Sequence, residues 1–150
     1  MYDKDKILLI GSDHGGFEVK QFIVSKLKEE GYKVKDFGTD SEESVDYPDY
    51  VHPVAHGINS GQYERGIILC GSGNGAQMTA NKYRYVRAGL AWNKEIATLA
   101  RQHNDANILS LPGRFIDKED AWELVQIFLE TEFEGERHQR RVEKMDHIKH

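Results

Sequence analysis

The sequence predicts an α/β fold: a single domain over residues 1–150, built as a three-layer α/β/α sandwich around a five-stranded parallel sheet, with a C-terminal helix. Short apolar runs alternate five times with segments of helical spacing, and such alternation is typical of a parallel sheet covered by helices on both faces. A chain of 150 residues has the size of one domain. No internal repeat, low-complexity tract or linker interrupts the sequence, so we expect one domain.

The first strand is predicted at 6–12, where the continuous apolar run KILLIGS indicates burial on both faces of a sheet. Apolar residues recur at helical spacing over 17–31, and the glycine that ends this segment is a plausible helix stop. The run YKVKDFG at 32–38 alternates like an outer strand. A polar loop containing Pro48 follows, and the next helix is predicted at 49–59.

The same alternation continues in the second half of the chain. The run RGIILCG at 65–71 predicts another buried strand, and a helix follows near 74–84. RAGLAW at 87–92 and ANILSLP at 106–112 predict the last two strands. The segment NKEIATLARQHN between them, 93–104, has the pattern of a helix.

Two helices are predicted after the last strand. The segment 117–133 is amphipathic, and Asp117 is suited to cap its N-terminus because an aspartate oxygen can accept a hydrogen bond from the first turn. Acidic residues also follow in the first turn, where the helix dipole favours them. The polar segment 134–150 is predicted as a final helix.

In open parallel sheets, ligands bind beyond the carboxyl ends of the strands, where the strand order reverses. For five strands we expect the Rossmann-like order 2-1-3-4-5, which places this point between the first and third strands. The first strand ends in GSDHGG (11–16) and the third in CGSGNG (70–75). These two loops are therefore predicted to face each other across a crevice.

The glycine-rich loop formally matches the dinucleotide fingerprint G-x-G-x-x-G/A at Gly71, Gly73 and Ala76. The acidic residue that should follow about 20 positions later to hold a ribose is missing, since Asn93 leaves the next strand. A P-loop is excluded because no G-K-[ST] follows the glycines. Backbone N–H groups at a helix N-terminus stabilise negative charge, so an anion site is favoured over a simple glycine turn.

Composition limits the partners of this chain. Its net charge of −5 argues against a nucleic-acid surface over the whole protein. No apolar run approaches the roughly 20 residues of a membrane span, and the start MYDKDK lacks the layout of a signal peptide. The single cysteine cannot form an internal disulfide. We therefore predict a cytoplasmic protein with neither nucleic acid nor membrane as partner.

Cys70, Asp13 and His14 are the candidate chemical groups in the predicted crevice. Cys70 ends a strand beside the anion loop, where a helix N-terminus stabilises a thiolate. The alternative is a small buried apolar side chain. Asp13 is also suited to cap a helix, and His14 could be incidental there.

Two further groups of candidates lie later in the chain. His103 and Asn104 come at the end of the fourth helix. The alternative role of His103 is that of a cation at a helix C-terminus, and the alternative role of Asn104 is that of a left-handed residue that ends the helix. Arg137 and Arg141 share one helix face and suit a phosphate, although a solvated charged face is the usual alternative. Arg114, after the fifth strand, could reach the same crevice.

The sequence contains no H-E-x-x-H, no C-x-x-C and no close carboxylate–histidine set with ligand spacing, so we expect neither a metal nor a cofactor. A phosphorylated substrate, a thiol base and an anion-stabilising loop together suggest proton abstraction next to a carbonyl group. Such a reaction passes through an enediolate.

Six blocks carry a family resemblance: GSDHGG, DYPDY, CGSGNG…ANK, RQHNDANIL, the GR pair at 113–114 and EGERHQRRVEKM, in this order. With them the chain resembles the B-type ribose-5-phosphate isomerases, whose superfamily includes galactose-6-phosphate isomerase. The resemblance covers nearly the whole chain, and RQHND and RHQRRV make it specific. It implies metal-independent interconversion of ribose 5-phosphate and ribulose 5-phosphate, a step of the non-oxidative pentose phosphate pathway.

The resemblance also implies roles for individual residues. Cys70 is the base that moves a proton between C1 and C2, and His103 is the acid that opens the furanose ring, with Asp13 assisting. The remaining roles are enediolate binding by Gly71, Ser72, Gly73, Asn74 and Gly75, hydroxyl binding by Tyr47 and Asn104, and phosphate binding by His14, Arg114, Arg137 and Arg141. Some members use a glutamate on the glycine loop instead of the cysteine. With Gly75 on that loop and no glutamate, this chain follows the cysteine branch.

The resemblance further implies a homodimer or a homotetramer with active sites shared between subunits, acting on a small phosphorylated sugar. Two other functions remain open at this point. A hexose 6-phosphate isomerase, for galactose or allose 6-phosphate, would use the same residues in a roomier pocket. A nucleotide-binding regulatory domain is permitted by the glycine fingerprint, although it leaves the cysteine and the arginine pair unexplained.

Overall fold

The computed structural model describes residues 1–148 and confirms the predicted alternation of strands and helices. Its strands are β1 (Leu8–Ser12), β2 (Val34–Asp36), β3 (Gly66–Cys70), β4 (Ala88–Leu90) and β5 (Ile108–Pro112). Its helices are α1 (Phe17–Glu29), α2 (Tyr47–Asn59), α3 (Asn74–Ala80), α4 (Lys94–Gln102), α5 (Lys118–Glu130) and α6 (Arg137–Lys144). A short 3-10 turn at His14–Gly16 precedes α1.

The sheet is parallel throughout, with the order β2-β1-β3-β5-β4. The predicted order 2-1-3-4-5 was therefore wrong in its last two strands. The five residues of β5 are all buried, which suits an inner strand, and they pair with β3 along their whole length. The shorter β4 is only partly buried and takes the edge. The reversal of order at β1 is as predicted.

Helices cover both faces of the sheet. On one face α1, α4 and α5 pack side by side, and on the other α2 packs against α3. Each face has its own apolar cluster. Ile10, Ile23 and Phe128 belong to the first, and Leu9 and Val54 belong to the second. Alternate residues of β1 thus serve opposite faces, as the pleat of a strand requires.

The C-terminal helix is shorter than the predicted segment 134–150. Gly135 and Glu136 have φ values of 72° and 52°, so the helix cannot begin before Arg137. Residues 149 and 150 of the predicted segment lie outside the described residues. Asp117 directly precedes α5, as predicted, but its side chain accepts no hydrogen bond from the first turn.

The direction of the helices decides where the candidate residues lie. In a parallel sheet every connecting helix runs back against the strands, so its C-terminus lies at the amino edge of the sheet. Cys70 therefore lies at the carboxyl edge, whereas the residues after α4 lie towards the amino edge. None of the helices in residues 1–148 combines the length and the apolar character needed to cross a bilayer.

Candidate active site

The loops after β1 and β3 meet at the carboxyl edge of the sheet, as predicted. A Cβ atom placed on Gly15 would lie 3.0 Å from the amide nitrogen of Gly71. The loop after β5 closes on the same place, because a Cβ on Gly113 would lie 2.7 Å from the carbonyl oxygen of Gly15. Three backbone segments therefore approach more closely than side chains would allow.

Cys70 is the last residue of β3, and only 5% of its surface is exposed. The loop after it turns through Gly73, whose φ of 81° is left-handed and strains most other residues. The carbonyl oxygen of Gly73 accepts hydrogen bonds from Ser110 Oγ at 2.8 Å and the Gln77 amide at 3.1 Å. Ser110, which the sequence analysis missed, thus anchors the glycine loop from β5.

The glycine loop keeps polar hydrogens free. Within the described part of the chain, the amides of Ser72 and Gly73 donate no hydrogen bond. The Ser72 hydroxyl oxygen accepts from the Asn74 amide at 3.3 Å and from Asn74 Nδ2 at 3.2 Å, which leaves its own hydrogen free to donate. Such a row of donors is suited to an oxyanion.

Asp13 and His14 lie on the β1 side of this crevice. Asp13 is 7% exposed, and its Oδ1 accepts from the Gly15 amide at 2.9 Å, so it caps the short turn and also faces the crevice. His14 Nδ1 accepts from the Val45 amide at 3.1 Å. A neutral His14 therefore carries its proton on Nε2 and can donate it to an anion.

Tyr47 and Arg114 complete this first group of predicted residues. The Tyr47 ring lies against Gly75, where an added Cβ would come within 2.6 Å of the ring atom Cε1. The Arg114 side chain passes Gly71, and its amide donates to the Gly71 carbonyl oxygen at 3.0 Å. The structure thus brings Asp13, His14, Tyr47, Cys70, the glycine loop and Arg114 together.

A second group of predicted residues lies elsewhere, beside α4 and α6. His103, Asn104 and Arg141 line a cavity of about 460 Å³, and Arg137 begins α6 next to it. Within residues 1–148, neither Cys70 nor the glycine loop lines this cavity. The left-handed residue after α4 is Asp105, with φ of 49°, so the alternative role considered for Asn104 belongs to its neighbour.

His138 and Glu134 join this second group, and the sequence analysis did not identify them. The rings of His138 and His103 are stacked, with centroids 4.0 Å apart and planes inclined by 13°. Glu134 Oε1 lies 3.4 Å from His103 Nε2 and 4.0 Å from His138 Nε2. Burial lowers the pKa of His138, and the neighbouring His103 and arginines lower it further, against the opposing effect of Glu134.

His103, Glu134 and His138 are also the described residues that come nearest to a metal-binding set, since their ligand atoms lie within 4.8 Å of one another. Motif spacing did not predict this group, because its members come from two different parts of the chain. The imidazole rings are stacked, however, so an ion in the plane of one ring would lie out of the plane of the other. The arrangement therefore does not direct both lone pairs at one ion.

The first and second groups lie too far apart to act on one sugar within one chain. Two strand spacings, about 10 Å, separate β3 from β4. The nine residues of α4 then run about 13 Å back towards the amino edge before reaching His103. The two groups therefore lie on different surfaces of the chain.

Comparison with known proteins identifies the family. Residues 8–145 match the model of the family described as ribose/galactose isomerase. The chain belongs to this family. The match covers most of the chain and confirms the resemblance inferred from the sequence motifs.

Individual members of the ribose/galactose isomerase family are similar over nearly their whole length. Ribose-5-phosphate isomerase B of Escherichia coli is 41% identical to this chain, covering 95% of it and 96% of the relative. The crystal structure of a ribose 5-phosphate isomerase from Thermotoga maritima is 48% identical, with a TM-score of 0.92 over 95% of this chain and 99% of that one. Ribose-5-phosphate isomerase B from Mycoplasma genitalium, solved with bound ribulose 5-phosphate, is 37% identical, with a TM-score of 0.92 over 97% of each chain.

Proposed function

We propose that this protein is an aldose–ketose isomerase that interconverts D-ribose 5-phosphate and D-ribulose 5-phosphate. The observation that carries the proposal is the family match together with the bound ribulose 5-phosphate of the Mycoplasma genitalium relative, whose fold is the same over almost the entire chain. Cys70 at the mouth of a loop of free amides supplies the chemistry that such a reaction needs.

In the proposed reaction, Cys70 acts as the base for the proton transfer. Its thiolate removes the proton from C2 of the open-chain aldose, and the electron pair moves onto the carbonyl oxygen to form the enediolate. A proton moves from the C2 hydroxyl to the C1 oxygen, and the thiol returns its proton to C1, so that C2 becomes the carbonyl carbon of the ketose. The free amides of Ser72 and Gly73 and the Ser72 hydroxyl stabilise the oxyanion while it exists.

The ring of ribose 5-phosphate opens before this step. His103 donates a proton to the ring oxygen, and Asp13 accepts the proton of the anomeric hydroxyl. Histidine suits this exchange because it can hold or release a proton near neutral pH. Tyr47 and Asn104 bind the sugar hydroxyls, and the phosphate is held by the His14 side chain and by the guanidinium groups of Arg114, Arg137 and Arg141.

These roles require two subunits. Because His103 and Arg141 lie apart from Cys70 in one chain, we propose a two-fold homodimer in which the second group of one subunit faces the first group of the other. A two-fold axis repeats this arrangement, so the dimer has two equivalent sites. A homotetramer would contain two such dimers.

A hexose 6-phosphate isomerase is the second candidate, because the matching family is described by both ribose and galactose. The same base and oxyanion loop would act on the longer sugar. We favour the pentose because the similar proteins of Escherichia coli, Thermotoga maritima and Mycoplasma genitalium are all ribose-5-phosphate isomerases by name.

The proposal is tested by assaying pentose 5-phosphates and hexose 6-phosphates side by side, with and without EDTA. We expect the highest kcat/KM with ribose 5-phosphate and no loss of rate with the chelator, because protein groups carry every proposed step. A higher kcat/KM with galactose or allose 6-phosphate would establish the second candidate. Activity that disappears with EDTA and returns with a divalent ion would contradict the proposed mechanism.

An acyclic substrate separates ring opening from isomerisation. D-Erythrose 4-phosphate cannot form a furanose ring, because the hydroxyl that would close the ring carries the phosphate. We expect His103→Ala to lose most of its kcat with ribose 5-phosphate, by about 10²–10⁴-fold, and to keep its kcat with the tetrose. Cys70→Ala should lose both activities. Equal losses in His103→Ala would contradict the ring-opening role.

A further inference from the structure

The ring of His138 lies flat on the ring of His103. The centroids are 4.0 Å apart and the planes differ by 13°, so one face of the His103 ring is covered. His138 is buried within the packing of α6, with 7% of its side chain exposed, whereas 37% of the His103 side chain is exposed. The more exposed ring thus rests on the more fixed one.

A second contact restrains the edge of the His103 ring. Glu134 Oε1 lies 3.4 Å from His103 Nε2, and the Glu134 amide donates to the carbonyl oxygen of Gln102 at 3.1 Å. The segment before α6 is thereby attached to the end of α4. Glu134 alone leaves the tilt of the imidazole free, and the flat contact with His138 restricts it.

The nitrogen atoms of His138 do not explain its burial. Its Nε2 is buried and has no hydrogen-bond partner within residues 1–148, an arrangement that costs free energy. Burial and the nearby Arg137 and Arg141 also lower the pKa of His138, so the neutral ring is favoured. A neutral flat ring can stack on His103 without repelling the proton that His103 must carry.

We propose that His138 is a positioning residue whose ring holds His103 in the orientation needed to protonate the ring oxygen of the substrate. The role rests on the proposed function, because it acts through the ring-opening acid. A general acid transfers its proton only when its N–H points at the acceptor, and a misplacement of about 1 Å can cost on the order of 10²-fold in rate.

Two variants of His138 distinguish the effect of its flat ring from the effect of its polar nitrogen atoms. His138→Phe keeps a flat ring and removes both nitrogens, whereas His138→Gln keeps a polar side chain and removes the ring. With ribose 5-phosphate we expect kcat within about threefold of wild type for phenylalanine and about 10²-fold lower for glutamine, with KM little changed in both. Gln139→Ala is the matched control, because Gln139 is the exposed neighbour on α6 and donates to Glu143.

The acyclic substrate distinguishes positioning from a general structural effect. With D-erythrose 4-phosphate we expect His138→Gln to keep wild-type kcat, because no ring has to be opened. Equal losses with both substrates, or a glutamine variant more active than the phenylalanine variant, would overturn the proposal.

The NMR spectrum of His103 tests the positioning role of His138 without an activity assay, and so independently of the proposed isomerase function. Stacking shifts the ring-proton resonances of His103 through the ring current of His138. We expect these resonances to lose their ring-current shift in His138→Gln and to keep a shift in the same direction in His138→Phe, because a stacked phenyl ring also has a ring current. Unchanged His103 resonances in the glutamine variant would overturn the stacking contact itself, whereas a wild-type protein inactive on ribose 5-phosphate would overturn the proposed function and leave the stacking contact measurable.

Discussion

The Cys70 side chain is buried, and it lies beside backbone amides that can stabilise a negative charge. It is the only cysteine of the chain and ends a strand whose five residues are all buried. Burial alone is typical of a cysteine that fills space. The free amides of the next residues distinguish it from such a cysteine, because donors of this kind can stabilise an anion that binds beside its side chain.

The Cys70→Ala variant tests directly whether Cys70 is the base of the proton transfer. We expect kcat with ribose 5-phosphate to fall by about 10²–10⁴-fold, because a proton-transfer group is lost. The affinity for the substrate should stay within a few-fold, since the phosphate contacts remain, and steady-state kinetics together with calorimetric titration would measure both.

Iodoacetamide gives an independent check on the same residue. It should inactivate the wild type, and ribose 5-phosphate should protect the enzyme. Near-normal turnover in Cys70→Ala would mean that the cysteine only fills space.

At the scale of elements, Arg101 holds the end of α4 in place. It is 2% exposed, and its guanidinium donates to Asp105 Oδ1 and the Ala106 carbonyl oxygen, both at 2.8 Å, and to the Thr131 carbonyl oxygen at 3.1 Å. Asp105 Oδ2 also accepts a hydrogen bond from Arg87 Nη2 at 3.3 Å. One buried side chain therefore links α4, the start of β5 and the segment that leads to α6.

Arg101→Ala should destabilise the fold strongly. Removing the buried guanidinium leaves the carbonyl oxygens of Ala106 and Thr131 without this donor, and each buried acceptor left unsatisfied costs about 1–3 kcal/mol. The measurement is the midpoint of thermal unfolding at a fixed protein concentration.

Lys6→Ala is the matched control, because it removes an ion pair with Glu64 in which both side chains are about half exposed. Such exposed pairs contribute about 0–1 kcal/mol. Equal midpoints in the two variants would contradict the importance of the Arg101 contacts.

At the scale of the whole molecule, the proposed site requires a second copy of the chain. The carboxyl edge of the sheet carries Cys70 and its oxyanion loop, and the opposite side carries His103 with the α6 arginines. Each group by itself lacks part of the chemistry. In the proposed dimer, a two-fold axis would complete both sites at once.

Mixing two inactive variants tests the shared site. Cys70→Ala and His103→Ala subunits, unfolded and refolded together, should recover about one quarter of wild-type activity with ribose 5-phosphate. Random pairing makes about half of the dimers mixed, and each mixed dimer has one intact site and one doubly damaged site.

Each variant refolded alone provides the baseline for this experiment. If both groups acted within one chain, every site of a mixed dimer would keep one lesion. A mixture no more active than the separate variants would then exclude the shared site.

The amino-acid sequence was sufficient to predict the α/β class, the crevice between β1 and β3, and the candidate residues in its loops. These features depend on local pattern: buried strands are apolar throughout, helices repeat every 3.6 residues, and a crevice follows from the reversal of the strand order. The motifs GSDHGG and CGSGNG could be placed there because the ends of parallel strands share one edge.

The order of β4 and β5, and the contacts between distant residues, depended on tertiary structure. Which strand joins β3 is decided by competition for a fully buried position, and the longer apolar β5 occupies it in place of the short β4. The stack of His138 on His103 and the bond from Ser110 to Gly73 join residues 35 and 37 positions apart. Local sequence patterns carry no signal for such pairs, because the packing of whole helices and strands brings them together.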